Sequence, residues 1–138
     1  MVEPVWHNFY EIGIDFIDED HKNLIQIMND IQNSCSSNCD TKIINNLLNK
    51  FISEARNHFQ KEEDFLKETG YAGLENHRDF HRMLLKKADM TKNMCENSAL
   101  DNNINDCIYK MIRLVIDEIF KGDIQFKAYL EEKGYIKN

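Results

Sequence analysis

The sequence predicts an all-α fold: a bundle of four antiparallel helices with an N-terminal arm and a short C-terminal helix. Three observations carry this. Apolar residues recur at three- and four-residue spacing over long windows; glycine and proline are scarce, 5 and 1 of 138 residues; and the helical windows are joined by short links, which favour antiparallel neighbours. With 42% hydrophobic residues the chain supports one substantial core, so residues 1–138 read as a single domain.

Residues 1–17, which include Pro4, form the arm, and His7 beside Trp6 reads as a surface or arm residue. From Asp18 the first helix carries Leu24, Ile25, Met28 and Ile31 on one stripe and ends at the polar run SCSSNCD. Asp40 is a suitable N-cap for the second helix, whose stripe is Ile44, Leu47, Phe51, Ala55, Phe65 and Leu66, and which stops at Gly70. After a link with Gly73, the third helix offers Leu74, Leu84 and Ala88 and frays around ENSALD, where Ser98 or Asp101 can cap the fourth. That helix shows Ile104, Ile108, Met111 and Val115 before Gly122 interrupts it; residues 124–130 form the closing helix.

Charge and composition exclude several functions. A net charge of -7 and a pI near 5.2 repel nucleic acid and anionic membrane. The start MVEPVWHNFYEIG lacks the basic and apolar regions of a leader, and no stretch reaches membrane-spanning length, so a soluble, cytoplasmic protein is expected. Four cysteines, Cys35, Cys39, Cys95 and Cys107, are too few for a disulfide scaffold and read as thiols.

The ionisable residues on the apolar stripes point to a metal. His21 precedes Leu24 and Ile25 by three and four; His58 follows Ala55 by three, with Glu62 four beyond it; His77 follows Leu74 by three; His81 precedes Leu84 by three; Glu118 follows Val115 by three. Each helix thus aims at least one metal-competent side chain inward, where an unpaired carboxylate is costly and a bound cation removes the cost. Imidazole and carboxylate without inward cysteine suit iron or manganese, with zinc possible. Six ligands exceed what one tetrahedral zinc needs, so two metals bridged by carboxylates are the economical arrangement.

These residues and their surroundings resemble the haemerythrin family, in its bacteriohaemerythrin-like form. The likeness runs from Trp6 and GIDFIDEDHKNLI (13–25) through HFQKEEDF (58–65) and GYAGLENHRDFH (70–81) to EIFKGDIQFKAYL (118–130). It implies an up-down-up-down bundle with a di-iron centre under an oxo or hydroxo bridge. His21 and His58 would hold one iron, His77 and His81 the other, and Glu62 and Asp123 would bridge them. Asp123 enters through the resemblance alone. It further implies that dioxygen binds at the iron of His21 and His58 as both irons become ferric.

The chain departs from that pattern at one ligand. Five residues before Asp123 the family has a histidine that completes the shell of the iron held by His77 and His81; here Glu118 stands there, and Leu114 replaces the usual aromatic residue four before it. An anionic ligand favours the ferric state. Glu118 can bind its iron alone, chelate it, bridge both irons or turn to solvent. Two function classes stay open: a module that stores, delivers or senses dioxygen, and a di-iron oxidase or peroxidase that consumes dioxygen or peroxide. A protein partner or reductant is not legible.

Overall fold

The computed structural model describes residues 11–34, 40–98 and 104–136. The helices are α1 (Asp15–Ser34), α2 (Thr41–Glu68), α3 (Leu74–Ser98) and α4 (Ile104–Asp117), then a π-helical turn, Glu118–Asp123, that runs into α5 (Ile124–Glu132). Each of α1 to α4 packs on its two neighbours in a closed ring, α1 against α2, α2 against α3, α3 against α4 and α4 against α1. No helix among the described residues is long and apolar enough to cross a membrane. Trp6 and His7 of the arm, and Cys35 and Cys39 of the first link, lie outside the described residues; Cys95 and Cys107 are buried.

Local chemistry sets the boundaries. Helix α1 begins at Asp15, three residues before the expected Asp18, because Asp18 lies one turn inside and reaches back. Its carboxylate accepts from the backbone N–H groups of Ile12 (2.8 Å) and Gly13 (3.1 Å), which pins the segment leading into the helix against its first turn. Asp40 caps α2 as expected and accepts from the N–H of Lys42 at 2.9 Å. Helix α2 ends at Glu68 with Thr69 as its C-cap, and Gly70 turns the chain with φ +74°. Gly122 does not interrupt the chain, which stays helical through the π turn. A Cβ there would lie 2.6 Å from Phe80 and 3.3 Å from His77, so glycine is needed for close approach.

Two apolar clusters fill the interior. The larger takes Leu24, Ile31, Leu48, Phe51, Ala88 and Met111 among its members; the smaller joins Ile12 and Ile17 to Leu66, Phe126, Leu130 and Ile136. The candidate ligands fall between residues of one cluster and residues of the other: Ile17, His21 and Leu24 on α1, Ala55, His58, Glu62 and Leu66 on α2, and Val115, Glu118, Asp123 and Phe126 from the end of α4 through the π turn into α5. The bundle therefore carries a polar belt between two dry layers.

Candidate metal centre

The belt consists of His21, His58, Glu62, His77, His81, Glu118 and Asp123, none more than 5% exposed. Helices α1, α2 and α3 deliver the histidines through the three- and four-residue spacing that aligns them with their apolar stripes. The π turn that follows α4 uses a different device. Five residues along a regular α-helix rotate a side chain about 140° from its starting direction. The i to i+5 repeat of the π turn instead brings Glu118 and Asp123 to the same interior face.

The three carboxylates stand between two pairs of imidazoles. Glu62 turns Oε2 toward His58 Nε2 (3.2 Å) and Oε1 toward His77 Nε2 (2.6 Å) and His81 Nε2 (3.1 Å). Asp123 places Oδ2 2.9 Å from His21 Nε2 and Oδ1 3.2 Å from His77 Nε2. Glu118 is buried and does not turn to solvent: its Oε2 lies 2.6 Å from His21 Nε2, and its Oε1 lies 3.4 Å from His58 Nε2 and 3.7 Å from His81 Nε2. Donor atoms from His21, His58, Glu62, Glu118 and Asp123 lie within 4.8 Å of one another, as do those from Glu62, His77, His81, Glu118 and Asp123. The structure thus brings all seven sequence-predicted residues together, as two donor groups that share three carboxylates.

Protonation within the belt reflects this crowding. Burial pushes the Asp123 carboxyl up, and the charges of Glu118 and Glu62 push it further, well above the ordinary range. Burial acts in the same direction on Glu62 and Glu118, but the histidines overcome it and hold both well below the usual carboxylate range. Burial lowers His58 and His81, yet the surrounding carboxylates prevail and raise His58 well above its ordinary value and His81 to about 9. Protons on imidazole thus supply positive charge that the buried carboxylates require. A metal cation at the Nε2 atoms supplies the same charge.

The donor set fits a cation on independent grounds. His21 Nε2, His58 Nε2, Glu62 Oε2 and both carboxylate oxygens of Glu118 and of Asp123 are buried and make no hydrogen bond of acceptable geometry. Buried polar atoms are normally satisfied, so a convergent set of orphans indicates a ligand. Imidazole and carboxylate donors suit iron.

A second layer orients the rings, and sequence reasoning missed it. His58 Nδ1 lies 2.9 Å from Asp20 Oδ2, which also meets Lys61 Nζ at 2.8 Å. His81 Nδ1 lies 2.8 Å from Glu63 Oε2, whose other oxygen meets Arg78 at 3.3 Å. A carboxylate on Nδ1 leaves the Nε2 lone pair for a metal and fixes the ring plane. Phe59 stacks on His81 at 4.0 Å between ring centres, and Phe126 meets His77 edge-on at 5.2 Å. Beside the belt lies an apolar cavity of about 20 Å³, lined by Leu24, Phe51, Phe59, Leu84, Leu114 and Glu118 among others.

Comparison with known proteins agrees with this geometry. The model of the hemerythrin HHE cation binding domain matches residues 12–126. A bacteriohemerythrin of Clostridium acetobutylicum is 33% identical over 126 residues, covering 88% of this chain and 97% of that protein. A bacteriohemerythrin of Stenotrophomonas maltophilia is 26% identical over 87 residues, 63% of this chain, and the match spans only 56% of that relative's length. A myohemerythrin of Theromyzon tessulatum is 26% identical over 76 residues, 55% of this chain and 58% of its own. No solved structure matches significantly.

Proposed function

The chain belongs to the hemerythrin family, and from that premise we propose that it is a non-haem di-iron protein that binds dioxygen, for storage, delivery or sensing. His21 and His58 would hold one iron and His77 and His81 the other, with Glu62 and Asp123 shared between them and Glu118 as a third carboxylate ligand. The observation that carries this reading is the convergence of seven buried, mostly orphaned donors on one belt. Iron, when bound, would supply the electrons that dioxygen chemistry needs. The chain's own residues do the rest. The imidazoles would hold the cations through Nε2, Asp20 and Glu63 hold two of the rings in register, and beside Glu118 lies an apolar-lined cavity of about 20 Å³ that offers water no polar partner besides that carboxylate. Glu118 puts an anion where the family pattern has a neutral histidine, and so biases the centre to the ferric state.

That same residue favours a second reading, a di-iron oxidase or peroxidase that consumes dioxygen or peroxide. One experiment tests both. Protein stripped by chelator and loaded anaerobically with ferrous iron is expected to take up about two irons per chain and to melt at a higher temperature, because a ligand held only by the folded state stabilises it. Folded protein that takes up no iron would overturn the di-iron centre. Admission of air then separates the readings: a lasting oxygenated absorption band supports binding, and rapid passage to a ferric spectrum supports consumption.

A further inference from the structure

We infer that Glu118 is a carboxylate shared by both metals, a third bridge beside Glu62 and Asp123, and that the two metals therefore have matching protein donors. The inference rests on the di-iron reading above. Sequence position and geometry conflict at Glu118. A ligand standing in for the family's last histidine would serve the iron of His77 and His81 alone. The shortest approach of Glu118 is instead to the opposite pair, Oε2 to His21 Nε2 at 2.6 Å.

Its second oxygen lies between the two pairs, 3.4 Å from His58 Nε2 and 3.7 Å from His81 Nε2. Glu62 and Asp123 show the same disposition, each with one oxygen toward His21 or His58 and the other toward the pair on α3. Glu118 is accordingly a member of both donor groups, which then each hold two histidines and three carboxylates.

The surroundings hold it in that position. The backbone is fixed by the π turn, which sets Glu118 beside Asp123, and the side chain also lines the apolar cavity of Leu24, Phe51, Phe59, Leu84 and Leu114. A carboxylate rotated toward that cavity would lose its partners and remain desolvated, which is costly. The place of lowest cost is the gap between the two cations, where one anion offsets charge on both.

Mössbauer spectroscopy of the full-length diferrous protein, loaded with iron-57, tests the shared bridge separately from the centre itself. Elemental analysis comes first: a parent protein without iron overturns the di-iron reading and the bridge with it. With iron present, the parent is expected to give a single quadrupole doublet, because both irons see the same donors. Glu118→His offers its ring to one iron and is expected to split that signal into a pair of doublets of equal area. A parent that already shows such a pair, or a spectrum that Glu118→His leaves unchanged, overturns the bridge. Should the histidine variant hold no iron, Glu118→Gln serves under chelator competition. Weakened binding of both irons supports the bridge, and one iron retained at parental affinity overturns it.

Discussion

The larger apolar cluster and the polar belt are built on the same helices by the same spacing, yet they are stabilised in opposite ways. Leu24, Met28, Ile31, Leu48 and Met111 are each at most 4% exposed and meet other apolar side chains. Their burial is favourable by itself, at roughly 25 cal/mol per Å² of apolar area. His21, Glu62 and Asp123 are just as dry, at 0% exposed, but their desolvation is unfavourable until charge is matched. The difference separates two tasks along each helix: the apolar layers fold the chain, and the belt carries a demand for positive charge that protons or a metal must meet.

The largest effect is expected from a cavity in the apolar layer. Leu48 lies ten residues before His58, about 15 Å along the helix axis, and is 1% exposed. Leu48→Ala should lower stability by about 2–5 kcal/mol in stripped and iron-loaded protein alike. Iron per folded chain should stay at the parental level. Denaturant unfolding with and without chelator, paired with elemental analysis, measures both. Loss of iron from the folded variant would show that the two layers are not independent.

A smaller effect, confined to the belt, is expected from the carboxylates behind the rings. Asp20→Asn and Glu63→Gln leave Nδ1 of His58 and His81 facing a neutral group, so each should weaken iron binding about 10- to 100-fold. Both carboxylates are partly exposed, at 23% and 17%, and the stripped protein should melt near the parental temperature. Competition against a chelator of known strength reads the affinity. Parental affinity in both variants would assign these contacts to surface pairing only.

How much of this was legible in the sequence follows the same division. Residues whose roles depend on 3.6-residue periodicity stood out: the four helices, the histidine pairs, Glu62 and Glu118. Where two apolar residues adjoin, periodicity could not choose: the expected stripe took Leu47, which is half-buried, whereas Leu48 is buried, and both stand three or four residues from Ile44 and from Phe51. Asp123 could not be found by spacing at all. Its direction depends on a π turn, and composition does not announce one; only the family resemblance brought it in. Asp20 and Glu63 were hidden differently. They sit in acidic runs, EDH and KEED, which read as a solvated face, and their roles arise from contacts between helices 38 and 18 residues apart in sequence.

The last prediction uses pH to compare the belt with and without its cation. In the stripped protein His81 titrates near 9, and His58 is raised well above its ordinary 6.5. A group whose folded pKa exceeds its unfolded one lends stability that is complete below the unfolded value and is lost as pH rises through the folded value. Asp123, also raised, acts in the same direction from its own lower unfolded value. Glu62 and Glu118, held low, lend stability that is already complete above their unfolded value of 4.5 and is constant in this window. Stripped protein should therefore lose stability steadily between pH 6.5 and about 9. Iron-loaded protein should not, because the Nε2 lone pairs belong to the metal and carry no proton to lose; its stability should fall instead below about pH 6.5, where unfolded histidines take up protons. Thermal melts of both forms across this range check the contrast. A stripped protein as stable at pH 9 as at pH 6.5 would show that protons do not stand in for the cation in the empty belt.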